Sequence, residues 1–402
     1  MNYPNPYTPG AGFVPAYLAG REHLLKDAEK YLNAICNGYP QQSVIYYGLR
    51  GVGKTVLLNI IEQIADTKDV LFEHIEIKEI KNRNEKGYFE QQIANVCKKF
   101  IHAMSIKESA QDLVKKAWGM WRAFSVTYNG QDNTFSMGIN EDMLGYIGTG
   151  DLSSDLTDLF VAMGKIAKEA GYAICLFVDE IQYMQDDELE AEINAIHRCN
   201  QLRLPIMIFG AGLPKIIKSM GEVKSYTESV FKFEMVDALK ENETQEAIVQ
   251  PAADFDVKYS DDALQLIIEI TGRYPYFIQE LCSTVWDLSE EPLIRKRIVE
   301  EAKQLFLERL DQSFFKVRYD RATPKERQFM FAMVKCGDLP CTISNVAKIL
   351  EKQVKSISPT RGQLINKGLI YATGYAEIDF TVPQFDGFLK RKNPELELNI
   401  KL

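Results

Sequence analysis

The sequence lacks the long apolar runs that membrane proteins need, because no stretch reaches 18 consecutive apolar residues. The first residues, MNYPNPYTPGAGF, contain neither the basic segment nor the apolar segment of a secretion signal. We therefore expect no membrane-spanning helix and a cytoplasmic protein. With 402 residues, 46% of them hydrophobic and 26% charged, the composition is typical of a soluble protein with two or three domains.

Cysteine and histidine are too few and too scattered to indicate a metal site. The seven cysteines include no C-x-x-C pair, and the four histidines are not grouped at ligand spacing. This pattern argues against a disulfide framework and against structural zinc. We expect reduced thiols, most of them buried.

A glycine-rich loop between a strand and a helix is the clearest chemical signal. In SVIYYGLRGVGKTVLLNIIEQI, a β-rich run precedes the loop and a helical apolar pattern follows it. The loop residues are Gly48, Leu49, Arg50, Gly51, Val52, Gly53, Lys54 and Thr55. In such a loop, backbone N–H groups and the helix N-terminus bind phosphate, Lys54 reaches the β- and γ-phosphates, and the Thr55 hydroxyl binds Mg²⁺. The pattern therefore predicts a nucleotide phosphate site.

A second motif supplies the acidic residues that such a site requires. Residues 173–178 of GYAICLFVDEIQYM form a continuous apolar run, as expected for a strand buried on both faces of a parallel sheet. The run ends at Asp179 and Glu180. We expect Asp179 to hold Mg²⁺ through water and Glu180 to polarise the water that attacks the γ-phosphate.

Four further stretches resemble a known family. They are FVPAYLAGREHLLKDAEKYL, LPIMIFGAGLPKI, SYTESVFKFEMVDAL and TGRYPYFIQELCSTVW. Together with the two motifs above, they are similar to origin-recognition-like AAA+ ATPases and to bacterial and archaeal ATP-binding proteins related to STAND signalling NTPases. The resemblance spans about residues 10–391.

The resemblance implies an α/β P-loop NTPase of the AAA+ type, with a parallel-sheet core, a helical lid and a C-terminal winged helix-turn-helix domain. It implies ATP and Mg²⁺ as ligands, with Gly20 and Arg21 close to the adenine. In the lid, it implies that Arg273 reaches the γ-phosphate as a sensor residue and that Pro275 lies at the nucleotide.

The sequence departs from the family pattern at two positions that support hydrolysis. No polar sensor residue follows IMIF in the strand after the acidic one. Where a neighbouring subunit would supply an arginine finger, this chain offers only Lys224 and Lys232. Lysine is a point charge and cannot copy the guanidinium fork. We therefore expect slow ATP hydrolysis, with oligomerisation left open.

The expected domains divide the chain into three parts. Residues 1–238 form the ATPase core, residues 239–312 the lid, and residues 313–402 the winged helix-turn-helix domain. The core carries an insertion at about residues 85–150.

Two helical patterns occupy the first part of this insertion, and SVTYNGQDNTFSMGI then alternates like a hairpin around Asn129 and Gly130. The insertion either binds a protein partner or only covers the core. Trp118 and Trp121 are expected to be core residues.

The C-terminal part has the charge and pattern of a DNA-binding domain, although the whole chain carries a formal charge of −9. From Phe314 to Lys392 there are 14 Lys or Arg residues against 7 Asp or Glu, which gives +7. The candidate recognition helix in SPTRGQLINKGL has polar and basic neighbours that could contact duplex DNA. They are Lys352, Lys355, Ser356, Thr360, Arg361, Gln363 and Lys367. The alternative is a helix that only packs or docks a protein, and the wing, ATGYAEID, contains no Lys or Arg.

These features leave three interpretations open. The first is a DNA-associated ATPase that works as a nucleotide-dependent switch. The second is a STAND-like signalling or defence ATPase whose insertion and winged helix bind proteins. The third is a nucleotide-binding scaffold that barely hydrolyses ATP.

Overall fold

Five parallel strands form the central sheet. The computed structural model describes residues 3–79, 87–105, 110–129 and 148–393. The strands are β1 (Ser43–Tyr47), β2 (Val70–Glu76), β3 (Ala173–Asp179), β4 (Ile206–Gly212) and β5 (Phe231–Met235). They lie in the order β2-β3-β4-β1-β5, and each pair of neighbours is parallel. This sheet confirms the α/β P-loop NTPase expectation, and every residue of β3 and β4 is buried.

Helices cover both faces of the sheet. The helices of the core are α1 (Glu22–Cys36), α2 (Lys54–Asp66), α3 (Tyr88–Met104), α4 (Gln111–Asn129), α5 (Leu152–Ala170), α6 (Asp186–Gln201), α7 (Lys215–Val223) and α8 (Thr227–Val230). Alternate side chains of β3 enter two separate hydrophobic clusters. Cys175 and Phe177 pack with α1 and α2, whereas Ile174 and Leu176 pack with α3 to α6.

The described part of the insertion consists of two helices, and the hairpin prediction is wrong at its first residues. SVTYN is the last turn of α4, where the Thr127 hydroxyl donates to the carbonyl of Ala123 at 2.8 Å. The helix continues because Tyr128 on that turn anchors it to Asp155 of α5 at 2.9 Å. The rest of the expected hairpin lies outside the described residues. Trp121 is a core residue, as expected, and its indole donates to the carbonyl of Ala94.

A helical segment follows β5. Its elements are α9 (Glu241–Ala253), β6 (Lys258–Tyr259), α10 (Asp261–Thr271), α11 (Pro275–Leu288), β7 (Leu293–Ile294) and α12 (Lys296–Leu310). From α12 the chain continues through one turn of π-helix, Asp311–Phe315, into α13 (Lys316–Asp320). Such π turns occur often at functional sites.

Four helices and a small sheet form the C-terminal part. They are α14 (Pro324–Lys335), β8 (Cys341–Thr342), α15 (Ile343–Ile349), α16 (Val354–Asn366), β9 (Ile370–Gly374), β10 (Glu377–Phe380) and α17 (Phe385–Lys392). The sheet is antiparallel in the order β8-β10-β9. Thr323 and Glu326 form a reciprocal capping box at the start of α14. The candidate recognition helix, α16, begins at Val354 and contains Pro359.

The seven cysteines are free thiols, and five of them are buried. None of the helices among the described residues is both long enough and apolar enough to cross a bilayer.

Candidate nucleotide site

The glycine loop lies between β1 and α2 and packs tightly against the ends of its neighbouring strands. The N–H of Gly48 donates to the carbonyl of Gly212 at 3.1 Å. A Cβ atom on Gly48 would lie 1.9 Å from the carbonyl oxygen of Val236, so only glycine fits there. Gly53, with φ of 92°, adopts the left-handed backbone that turns the chain into α2.

Lys54 at the start of α2 is half-buried, and the glycine loop surrounds its ammonium group. Its Nζ donates to the carbonyls of Gly48 at 3.0 Å and Leu49 at 2.7 Å. Burial lowers the pKa of Lys54 to about 8, against the opposing influence of the carboxylates of Glu180 and Asp179. The ammonium group is therefore held at the centre of the loop, where phosphate is expected to bind.

Thr55 and Asp179 are brought together across the sheet. The Thr55 hydroxyl donates to Oδ2 of Asp179 at 2.6 Å. Burial raises the pKa of Asp179, and the hydrogen bond from Thr55 works against that shift. Hydroxyl and carboxylate oxygens are the ligands that Mg²⁺ prefers, so this pair fits the expected ion.

Glu180 follows Asp179 and is held by two neighbours. Its N–H donates to Oδ1 of Asp179 at 2.8 Å, and its backbone is left-handed, with φ of 54°. The guanidinium of Arg50 forms an ion pair with Oε1 of Glu180 at 3.3 Å and donates to the Tyr183 hydroxyl at 2.7 Å. The amide of Gln182 donates to Oε2. The carboxylate of Glu180 is therefore fixed between a cation and an amide.

At the end of β4, the side chain of Gln182 fills the space that a polar sensor residue would need. A Cβ atom on Gly212 would lie 2.8 Å from Oε1 of Gln182, so a larger residue would displace that side chain. Oε1 of Gln182 instead accepts from the N–H of Leu213 at 2.9 Å. Gln182 thus supplies the polar side chain between β4 and Glu180. The sequence analysis missed it because no motif marks this position.

A cavity of about 330 Å³ joins the loop to the N-terminal segment and to the lid. The residues that line it include Thr8, Gly12, Phe13, Tyr17, Arg21, Arg50, Lys54, Thr55, Asp179, Glu180, Pro275, Tyr276, Phe314 and Arg318. The size suits a nucleotide-sized ligand. The cations among the cavity-lining residues outnumber the carboxylates four to two, which favours an anionic ligand.

Arg21 lines this cavity but uses its guanidinium to tie the backbone together. Its nitrogens donate to the carbonyls of Val52 at 3.2 Å and Asp237 at 2.5 Å. Burial is the main cause that lowers the pKa of Arg21. Gly20, beside it, has φ of 68°, and a Cβ atom there would collide with the Glu243 carboxylate. Both residues therefore position the N-terminal segment against the glycine loop.

The helical segment after β5 reaches the loop through α11. The N–H of Tyr276 donates to the carbonyl of Gly51 at 3.2 Å, the Tyr274 hydroxyl donates to the carbonyl of Arg50, and Pro275 lines the cavity.

Arg273 is not brought to the site, contrary to the implied sensor role. Its side chain is exposed and is absent from the cavity lining, and its backbone has φ of 63° in the turn before α11. The turn directs Tyr274 inward and leaves Arg273 outside. The arginine that the structure does place in the cavity is Arg318 of α13, which the sequence analysis did not select.

The two lysines at the expected finger position have local partners. Lys224 forms an ion pair with Glu190 at 2.7 Å, and Lys232 forms one with Glu234 at 2.6 Å. Both contacts lie within this chain, on the side of α6 and β5.

The candidate DNA contacts divide into exposed and occupied residues. Lys352, Lys355, Ser356 and Gln363 are exposed, and Arg361 is half-buried.

Two of the candidate DNA-contact residues, Thr360 and Lys367, are not free to contact DNA. Thr360 is only 2% exposed, so it is part of the packed face of α16. The Nζ of Lys367 lies 2.7 Å from Oε2 of the buried Glu326 and donates to the carbonyl of Arg321. Thr360 is covered because it lies on the face of α16 that packs against its neighbours. Lys367, just after α16, is occupied by Glu326 and Arg321.

The C-terminal part packs directly on the nucleotide site. The N–H of Arg50 donates to the carbonyl of Thr381 at 3.3 Å. A Cβ atom on Gly368 would lie 2.8 Å from the Leu213 side chain and 3.3 Å from the Arg50 guanidinium. The end of α16 therefore touches the residues that surround Glu180.

Comparisons with known proteins identify the core. The AAA ATPase domain family matches residues 17–209, and a domain of unknown function (DUF8462) matches residues 312–389. No curated protein matches the sequence.

Among solved structures, the Walker-type ATPase PABY2304 of Pyrococcus abyssi has a TM-score of 0.57 at 11% identity, over 93% of this chain and 96% of that chain. The ORC2 protein of Aeropyrum pernix in its ADP form has a TM-score of 0.49 at 12% identity, over 98% of both chains. The ORC1 protein of Aeropyrum pernix in complex with DNA has a TM-score of 0.47 at 13% identity, over 97% of this chain and 96% of that chain. Residues 17–209, which match the AAA ATPase domain family, carry the glycine loop and the acidic strand, and the chain has the α/β fold of a P-loop NTPase.

Proposed function

We propose that this protein is a nucleotide-dependent switch that binds MgATP between the glycine loop and the lid. The convergence of Lys54, Thr55 and Asp179 at one end of the parallel sheet carries this proposal. In it, the loop amides and Lys54 bind the phosphates, and Thr55 and Asp179 hold Mg²⁺. When bound, Mg²⁺ neutralises charge on the phosphates.

We infer that the nucleotide is ATP, because residues 17–209 match the AAA ATPase domain family and because the sequence resembles ATP-binding proteins. The N-terminal segment, which lines the cavity through Thr8, Phe13 and Tyr17, offers apolar and aromatic surface to the base. Arg21 and Gly20 act on the base indirectly, since they position this segment.

Hydrolysis depends on Glu180, which we expect to polarise the attacking water. In the conformation described here, the ion pair with Arg50 and the hydrogen bond from Gln182 compete for that carboxylate. The chemical step therefore requires these partners to move or to share Glu180 with water. We expect slow turnover, so that the bound nucleotide persists long enough to define a state of the protein.

Nucleotide binding by the full chain tests this proposal. Isothermal titration with ATP or ADP, in the presence of Mg²⁺, should give saturable binding to the wild type. Lys54→Ala should lose most of that affinity, whereas Lys68→Ala, just beyond the end of α2, should not change it. Equal affinity of the wild type and Lys54→Ala would remove the glycine loop from the proposal. Loss of affinity in Lys68→Ala as well would point to a folding defect.

We also propose that the C-terminal part is a winged helix-turn-helix domain whose α16 contacts duplex DNA. The order of helices and strands from α14 to β10 supports the topology, and the +7 charge of residues 314–392 supports an acidic partner. Lys352 and Lys355 are exposed near the start of α16 and are suited to phosphate contact. The hairpin of β9 and β10 presents Tyr375, fully exposed, at its tip rather than a cation.

Fluorescence anisotropy with a labelled duplex, at about 50 and 200 mM salt, tests the DNA proposal. We expect binding that weakens with salt, and a further weakening in Lys352→Ala with Lys355→Ala. Lys303→Ala, an exposed lysine on α12, is the matched control. No binding in any nucleotide state would favour the STAND-like alternative, in which α16 and the insertion contact proteins.

A further inference from the structure

We propose that Arg318, which lies outside the AAA ATPase domain match, contacts the terminal phosphate of bound ATP and makes the C-terminal part of the chain respond to the nucleotide. Arg318 lies within residues 312–389, the segment matched by the domain of unknown function. The inference rests on the proposed function, because it assigns a further residue to the same site.

A chain of three contacts positions Arg318 at the glycine loop. The N–H of Tyr276 donates to the carbonyl of Gly51 at 3.2 Å. The Tyr276 ring stacks on Phe314, with centroids 4.5 Å apart and an interplanar angle of 18°. The Arg318 guanidinium carbon lies 3.9 Å from the centroid of Phe314. The π turn before α13 sets the spacing that brings Phe314 and Arg318 to the cavity together.

Arg318 is a half-buried cation without an anionic partner among the described residues. One of its terminal nitrogens donates to the carbonyl of Phe314, and its Nε is buried with no hydrogen-bond partner. Burial is the main cause that lowers the pKa of Arg318 to about 10, and the charges of Arg50 and Arg321 contribute to that shift. A buried charge is costly unless an opposite charge or hydrogen bonds compensate it. An anion in the cavity would compensate this one.

The neighbours of Arg318 favour the phosphate end of the cavity over the base end. Arg50, the charged residue that acts most strongly on Arg318, forms the ion pair with Glu180 beside Asp179. Arg21, nearer the N-terminal segment, already has three backbone carbonyls as acceptors. A guanidinium binds phosphate oxygens through paired N–H groups, which suits Arg318 to a terminal phosphate.

The same short helix links Arg318 to the remainder of the C-terminal part. Arg321, one turn further along, forms an ion pair with Glu79 after β2 and donates to the carbonyl of Lys367 at the end of α16. A movement of Arg318 toward a γ-phosphate would therefore shift a contact to α16. ADP lacks that phosphate and would leave Arg318 where it is.

The test compares ATP with ADP in the full chain. A slowly hydrolysed ATP analogue and ADP, each with Mg²⁺, are titrated into the wild type, Arg318→Ala, Lys54→Ala and the control Arg297→Ala. We expect the affinity of Arg318→Ala for the analogue to fall at least tenfold while its affinity for ADP changes less than twofold. Lys54→Ala should lose both ligands, and Arg297→Ala should resemble the wild type.

Equal losses for the two ligands, or no loss for either, would overturn the role of Arg318 while leaving the proposed function intact. Absence of binding by the wild type would instead overturn the proposed function. If Arg318→Ala does not fold, Arg318→Lys is titrated with the same two ligands. Lysine keeps the charge but not the paired N–H groups, so this variant tests the same role of Arg318.

Discussion

The side-chain amide of Gln182 donates to Oε2 of Glu180, and its oxygen accepts from the N–H of Leu213 at 2.9 Å. Gln182 therefore connects the end of β4 to the carboxylate that we expect to activate water. Gly212 leaves the space that this side chain needs. Gln182, which follows the acidic strand, is thus a polar side chain that contacts both Glu180 and the residue after β4.

Gln182→Ala tests this connection. The change removes the acceptor of a buried N–H group and frees Glu180 on one side. We expect single-turnover ATP hydrolysis to rise at least fivefold, because Gln182 no longer competes with water for Glu180, with a loss of about 1–3 kcal/mol in the free energy of unfolding. Affinity for ATP should change less than twofold. Unchanged hydrolysis would mean that Gln182 only holds the backbone of Leu213.

Gly48→Ala tests the close approach of the glycine loop to the chain after β5. A Cβ atom there would meet the carbonyl of Val236 at 1.9 Å, so the backbone must shift. We expect both the melting temperature and ATP affinity to fall. Gly119→Ala is the matched control, because a Cβ atom on Gly119 in α4 meets nothing within 4 Å. That control should stabilise the protein slightly, as alanine favours helix more than glycine does.

Lys367→Ala separates a structural role from a DNA contact. Burial raises the pKa of Glu326, but hydrogen bonds from Lys367 and Thr323 outweigh it and lower the pKa overall. The lowered pKa means that this carboxylate adds stability above its unfolded pKa and loses it as pH falls. Lys367→Ala should therefore destabilise the protein by about 1–3 kcal/mol at pH 7, and by less at pH 4.

Lys355→Ala is the comparison, since Lys355 is exposed. It should leave the melting temperature unchanged and weaken DNA binding. A stable Lys367→Ala variant with weak DNA binding would restore Lys367 as a DNA contact.

Glu192→Gln tests a buried carboxyl group on α6. Both oxygens of Glu192 are buried without a hydrogen-bond partner among the described residues, and burial, with a smaller effect of Glu188, raises its pKa to about 8. A raised pKa makes this group lower the stability as pH increases from about 4.5 to 8, because only the unfolded chain ionises freely.

We therefore expect Glu192→Gln to raise the melting temperature at pH 8 and to change it little at pH 5. Glu300→Gln, at an exposed position of α12, serves as control. A melting curve for Glu192→Gln that follows the wild type at both pH values would contradict this assignment.

The two phosphate-site motifs could be predicted from the sequence because their residues are local and their chemistry restricts them. Gly48 to Thr55 must form a glycine-rich turn into a helix, and Asp179 must end a buried strand. The parallel sheet then brings Thr55 and Asp179 together, as their hydrogen bond shows.

Other features depend on packing that no local pattern encodes. Arg318 reaches the cavity because a π turn joins α12 to α13 and because the C-terminal part packs on the glycine loop. Arg273 fails to reach it because its turn has a left-handed backbone. Thr360 lies on the face of α16 that contacts its neighbours, and Lys367, just after α16, pairs with the buried Glu326; the sequence reveals neither contact.

Hydrogen exchange of the full chain tests whether the bound nucleotide switches the conformation of the protein. The protein is compared without nucleotide, with MgADP, and with MgATP bound to Glu180→Gln to slow hydrolysis. We expect both nucleotides to protect residues 48–55, and ATP alone to change the exchange of residues 314–321 and 354–367. No protection of residues 48–55 by either nucleotide would contradict a nucleotide switch at this site.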